Sequence, residues 1–147
     1  MIKGNPVTIL LVEDDPAHAE IVRRNLGDFR VANRIVHVAD GQAALDYLFH
    51  QGDYAAPRAS SQPDLILLDL RLPKVDGLEV LRRIKEDEVL KRIPTIVLTT
   101  SAAESDLIGA YARGAVSYLV KPVDFEKFTK LMEAFGYYWL AWNRFPE

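Results

Sequence analysis

At 147 residues the chain is long enough for one globular domain with a buried core and too short for two ordinary ones. Hydrophobic residues make up 49% and charged residues 27%, and the net charge of −3 comes without a basic cluster, which argues against nucleic acid or an anionic membrane as a ligand. The absence of cysteine removes disulfides and thiolate metal sites and agrees with a reducing, cytoplasmic setting.

The first apolar run, Val7 to Val12, breaks at Glu13; it is too short for a signal peptide or a membrane span and reads as a buried strand. Asp15 as N-cap and Pro16 at the first helical position open a helix that carries Ile21, Val22 and Leu26 and stops at Gly27. Arg34 to Val38 is a second strand, and Asp40 opens a second helix with Ala44, Leu45, Leu48 and Phe49 on one face. Gln51 to Pro63, with Gly52, Pro57, Ser60 and Ser61, has no apolar period and reads as a long surface loop within the domain. Asp64 to Leu68 is the third strand, and Asp76 or Gly77 starts a helix presenting Val80, Leu81 and Ile84. Thr95 to Leu98 follows as the fourth strand; Leu107, Ile108 and Tyr111 mark a fourth helix ending at Gly114, and Val116 to Val120 is the fifth strand. A last helix after Asp124 spaces Phe125, Phe128, Leu131, Met132 and Phe135 on one face, and an aromatic stretch runs from Tyr137 to Phe145. Strict βα alternation predicts a doubly wound α/β domain, because parallel strands need crossover connections that put helices on both faces of the sheet.

In such sheets, ligands bind beyond the carboxyl ends of the strands. Those ends carry Glu13, Asp14 and Asp15 after the first strand, Asp69 after the third, Thr99 and Thr100 after the fourth, and Lys121 and Pro122 after the fifth. Carboxylates gathered together keep their charge only beside a cation, and hard oxygen donors with room for water suit magnesium. Taken singly, Asp15 reads as a helix cap, Asp69 as a turn acid and Lys121 as a solvated lysine; the coincidence of four strand ends makes a site of them. His18, His37 and His50 have no ligand spacing and read as packed or solvated.

The runs LLVEDDP, LILLDLRLPKVDGLEVL, IPTIVLTTS and SYLVKP resemble the signature segments of bacterial response-regulator receiver domains, and the resemblance spans about residues 7 to 135. It implies the flavodoxin-like (CheY-like) fold, a five-stranded parallel sheet of order 2-1-3-4-5, with one receiver domain over residues 1–147 and an aromatic extension at about 136–147. Asp69 would then be the phosphoacceptor, Glu13 and Asp14 the acidic pair, Thr99 the switch hydroxyl, Tyr118 the rotating aromatic and Lys121 the essential lysine. Magnesium would take Asp14, Asp69 and the backbone carbonyl of Arg71, with Glu13 acting mainly through a water. Pro122 resembles the family's frequently cis proline, which would turn Lys121 inward, while Arg71 and Thr100 would tune the lifetime of the phosphate.

The resemblance also implies a sensor histidine kinase as partner, signalling through protein contacts without an output domain, and no catalysis beyond magnesium-dependent self-phosphorylation and dephosphorylation. The VLTTS segment, the long loop and the aromatic tail are similar to the small response regulators associated with bacterial phytochromes, so the kinase would be light-sensing. Those relatives pair, and the stripe Phe128, Leu131, Met132, Phe135, Tyr138, Trp139 and Trp142 is longer than one sheet edge buries; a homodimer through the fourth and fifth helical faces and the tail is the expectation. Two other classes compete. A haloacid dehalogenase-type phosphatase would place a second aspartate where Arg71 stands, and a flavodoxin-like cofactor binder would need a phosphate cradle where Glu13, Asp14 and Asp15 repel phosphate.

Overall fold

Alternation along the strands builds the core. The computed structural model describes residues 6–27, 33–55 and 62–146. Its elements are β1 (Val7–Val12), α1 (Pro16–Gly27), β2 (Asn33–Val38), α2 (Gly41–Phe49), β3 (Leu65–Leu68), α3 (Gly77–Glu86), β4 (Thr95–Thr99), α4 (Glu104–Ala112), β5 (Ser117–Val120) and α5 (Phe125–Gly136). The five strands form one parallel sheet in the order β2-β1-β3-β4-β5. Because side chains alternate between faces, Leu10, Val12, Ile66, Leu68 and Val97 pack with α2 and α3, while Ile9, Leu11, Leu65, Leu67, Ile96 and Leu98 pack with α1 and α5. Burying Phe128 of α5 in the second layer contributes about 2 kcal/mol or more.

The caps behave as their chemistry dictates. Asp15 Oδ1 accepts from the Ala17 N–H at 2.8 Å, Asp40 from Ala43, Asp76 from Leu78, and Asp124 from both Glu126 and Lys127. Asp15, Asp40 and Asp124 also stand only a few residues beyond a strand, so capping and the delivery of oxygen atoms to the sheet's carboxyl edge come from the same short connections. Gly77 shows how tight one connection is: a Cβ there would lie 2.4 Å from the Asp69 carbonyl oxygen, so α3 starts against the backbone of the Asp69 turn.

Three expectations need correction. In α4 the face of Leu107, Ile108 and Tyr111 is not the buried one: Ile108 is 60% and Tyr111 50% exposed, and Asp106 and Ala110 turn inward. Polar partners for Asp106 inside the molecule set this register, as described below, and α4 ends at Ala112, with Gly114 turning the chain at φ +97°. Phe125, expected on the core face of α5, is exposed. The long loop is mostly exposed over its described residues, as expected, and includes a 3-10 turn, Gly52–Tyr54, whose Tyr54 ring meets Tyr47 edge-on at 5.1 Å; Pro57, Ser60 and Ser61 lie outside the described residues. Finally, among the described residues there is no cis peptide bond, so the bond before Pro122 is trans.

The aromatic stretch divides. Tyr137–Trp142 continues α5 as a π-helical turn, in which Leu140 is buried and Trp139 lies between Phe135 and Phe145, with ring centroids 6.3 and 6.2 Å away. Tyr137, Tyr138 and Trp142 face outward.

Candidate functional site

Register brings the site together. Val12 pairs with Leu68, so Glu13 and Asp69, the residues that follow, emerge at one level of the sheet edge; Leu68 pairs with Val97 and Thr99 with Val120, so Lys121 leaves β5 beyond that level, on the same edge. The ladder runs on past the strands: the Glu13 N–H donates to the Val38 carbonyl, Asp69 N–H to Val12, and Lys121 N–H to Thr99 at 2.7 Å. That last bond fixes the Lys121 backbone so that its side chain reaches over the end of β3, which supplies the inward aim that the sequence assigned to a cis proline.

Three ionisable side chains are almost completely enclosed there, Glu13 at 1%, Lys121 at 4% and Asp69 at 6% exposure. The Lys121 ammonium donates to Asp69 Oδ2 at 3.0 Å, to Glu13 Oε1 and, at 3.1 Å, to Nδ1 of His18. One cation thus serves two buried carboxylates, which leaves the cluster one positive charge short. The cost appears on Glu13: loss of water around its carboxyl, opposed by Lys121 and reinforced by the Asp69 charge, pushes its pKa up to about 7. Asp14, exposed at the rim, adds a third carboxylate, and Glu13, Asp14 and Asp69 each offer an oxygen within 4.8 Å of the others. Hard anionic oxygens, a charge deficit and an open rim are what a divalent cation requires, so these residues fit one.

A second network lies beside the first. The Arg71 backbone N–H reaches Asp69 Oδ1 at 3.4 Å, while its guanidinium turns away to pair with Asp106. The same Asp106 Oδ2 accepts the Ser101 hydroxyl at 2.5 Å. Ser101 in turn donates its N–H to Thr99 Oγ1 at 3.3 Å and accepts the Tyr118 hydroxyl on its carbonyl at 2.9 Å. Both expected switch residues therefore hang on Ser101, and Ser101 hangs on α4 through Asp106. Thr100, expected beside the acceptor, is exposed.

Sequence reading passed over Ser101, Asp106 and two histidines. His37 holds the Glu13 carbonyl through Nε2 at 2.8 Å, and His18 contacts Lys121. The one signal available was Asp106, which shares a helical stripe with Ala110 and would have been a charge on an apolar face had the register been read from them. His18 and Lys121, far apart in the chain, carry no spacing signal at all.

The model of the response regulator receiver domain matches residues 9–133, and the chain belongs to that family. Probable methanogenesis regulatory protein FilR2 of Methanothrix harundinacea is 48% identical over 143 residues, covering 97% of this chain and 89% of that protein. Response regulator Rcp1 of Synechocystis sp. is 42% identical over 141 residues, 96% of this chain and 94% of its own length. A crystal structure of the Mn2+-bound form of Rcp1 superposes with a TM-score of 0.92 at 40% identity, covering 97% of this chain and 100% of that one. The phosphorylated cyanobacterial phytochrome response regulator RcpA superposes with a TM-score of 0.91 at 38% identity over the same shares, 97% and 100%. Receiver domains take phosphoryl groups from histidine kinases, and this chain is a phosphorelay signalling protein with the flavodoxin-like receiver fold. The phosphatase and cofactor-binding alternatives give way to that assignment. Among the described residues no helix is long and apolar enough to cross a membrane.

Proposed function

We propose that the chain is a magnesium-dependent switch that carries its phosphate on Asp69, and the buried Lys121–Asp69 pair at 3.0 Å is the observation that carries this reading. An Asp69 carboxylate oxygen attacks the phosphorus of a phosphohistidine; the O–P bond forms as the P–N bond breaks, and the imidazole leaves with the electron pair and takes a proton. Charge spreads over the transferring oxygens, and the Lys121 ammonium is already in place to meet it. Asp14, Asp69 and the Arg71 carbonyl would hold magnesium, with Glu13 acting mainly through water, and the ion would supply the positive charge the cluster lacks. The acyl phosphate then competes for the Thr99 hydroxyl. As Thr99 turns from the Ser101 N–H, the Tyr118 and Asp106 anchors on the same serine are disturbed, and the change reaches the surface of α4.

Thermal unfolding tests the metal reading, and the Glu13 pKa gives its sign. A carboxyl whose folded pKa is raised binds its proton more tightly in the folded state, so without metal the stability falls as pH rises from the ordinary glutamate range to about 7. Magnesium competes with that proton. Its stabilising effect is therefore larger at pH 8 than at pH 6, and Asp14→Ala removes most of it at both. An equal magnesium response in the variant contradicts the ligand assignment.

The kinase we assign is a bacterial phytochrome, supported by the likeness to the phytochrome response regulator RcpA and to bacteriophytochrome response regulators 41% identical to this chain; phosphotransfer from a purified phytochrome kinase, against a kinase with another sensor, checks it. We also assign a homodimer. Val116 and Tyr138 line a groove with Leu119, Leu131 and Phe135 on the β5–α5 face, and Trp142, in the same helical extension as Tyr138, is 79% exposed. Each buried aromatic anchor contributes about 2 kcal/mol at such a centre. Light scattering at micromolar concentration gives twice the chain mass, and the double substitution Tyr138→Ala, Trp142→Ala gives the monomer. A monomeric parent chain ends the proposal.

A further inference from the structure

An ammonium has three N–H donors, and all three of Lys121's are engaged, by carboxylates at the ends of β1 and β3 and by a ring on α1. The His18 ring is itself held. Its edge lies against Phe128 of α5 with centroids 5.6 Å apart, and its Nε2 stands 3.7 Å from Asp15 Oδ2, the cap of its own helix. This arrangement places the ring proton on Nε2, toward the carboxylate, and leaves Nδ1 free to accept from Lys121. Burial, and then the ammonium beside it, hold the ring below the usual histidine range, in keeping with a neutral acceptor.

The three acceptors have different obligations. Asp69 must release a lone pair to the incoming phosphorus, and Glu13 belongs to the acidic cluster that would face a cation. Both loosen their hold on Lys121 at the moment the ammonium is needed. His18 has no other partner to serve at the site. It is also uncharged, so it orients the ammonium without competing with a phosphoryl oxygen for its charge.

We propose that His18 is a positioning residue for phosphoryl transfer: its Nδ1 keeps the Lys121 ammonium beside Asp69 while the two carboxylates change partners. The proposal rests on Asp69 as acceptor and Lys121 as its counter-charge. Without His18 the ammonium is free to follow Glu13 and stand off the transferring group, which slows transfer and leaves magnesium capture at the rim intact.

Two substitutions separate positioning from packing. His18→Phe keeps a ring against Phe128 and removes the acceptor; His18→Asn loses the ring contact but puts an amide oxygen close to where Nδ1 stood. The full chain is labelled with acetyl phosphate and magnesium over a range of donor concentrations, and melting temperature is read alongside. Positioning gives His18→Phe a maximal labelling rate lower by about tenfold, the scale of one charge-assisted hydrogen bond, with half-saturation and the magnesium-induced rise in melting temperature unchanged. His18→Asn then labels faster than His18→Phe although it melts lower. A packing role gives the reverse order of rates, tracking melting temperature, and overturns the proposal, as does parental labelling by His18→Phe. Absence of labelling in the parent chain would instead refute Asp69 as acceptor, a distinct result.

Discussion

The Asp69→Asn protein gains no phosphate mass under acetyl phosphate and magnesium conditions that modify the parent chain, and it melts higher than the parent when magnesium is absent. The first outcome follows from chemistry: an amide has no anionic oxygen to attack phosphorus, and Glu13, buried at 1% exposure and bonded to Lys121, is not presented to a donor. The second follows from charge. In the parent one ammonium serves two enclosed carboxylates; with the amide it serves one, and the like-charge push of Asp69 on Glu13 is gone. Asparagine keeps the shape of aspartate and can still accept from Lys121, so no cavity opens. Intact mass and a melting curve check the two halves separately. Equal labelling of the two proteins would remove Asp69 from its role, and a lower melting point in the variant would contradict the charge account. The site is then one where function is held against stability.

Lys121→Met has the larger effect on folding. Methionine fills much of the lysine stem's volume but leaves Glu13 and Asp69 facing each other, both nearly enclosed, with no counter-charge. Removing one partner of a buried ion pair costs about 3 to 5 kcal/mol, because the remaining charge stays desolvated. Part of that loss is relieved when Glu13 takes a proton, so the variant is least destabilised at low pH and most at high pH. Magnesium stabilises it more than it stabilises the parent, since the ion replaces the cation that the substitution removed. Labelling by acetyl phosphate falls by about a hundredfold or more even in saturating magnesium, the scale for losing one preorganised donor to a developing charge. Chemical denaturation with and without magnesium measures the first effect and labelling rates the second. A variant as stable as the parent without metal would show that Lys121 does not balance these acids.

The contrast between these residues and α4 shows where sequence ended and three-dimensional structure took over. Strand positions, the caps at Asp15, Asp40, Asp76 and Asp124 and the alternation that implies a parallel sheet were legible, because each depends on neighbours a few residues away and on a short period. The acids and the lysine at strand ends were legible for a related reason: in a parallel sheet, position in the strand settles which edge a residue reaches. The face of α4 was not. Nine residues carrying Leu107, Ile108 and Tyr111 give a plausible apolar stripe, and what turned the helix was the pull of Arg71 and Ser101 on Asp106, partners with no periodic relation to it. The same holds for His18 and for the direct hold of Glu13 on Lys121, contacts across more than a hundred residues of chain. Sequence by itself determined which chemical groups arrive at the sheet edge; tertiary structure decided which of them share one ammonium, since burial and the number of N–H donors, rather than spacing along the chain, allot the partners.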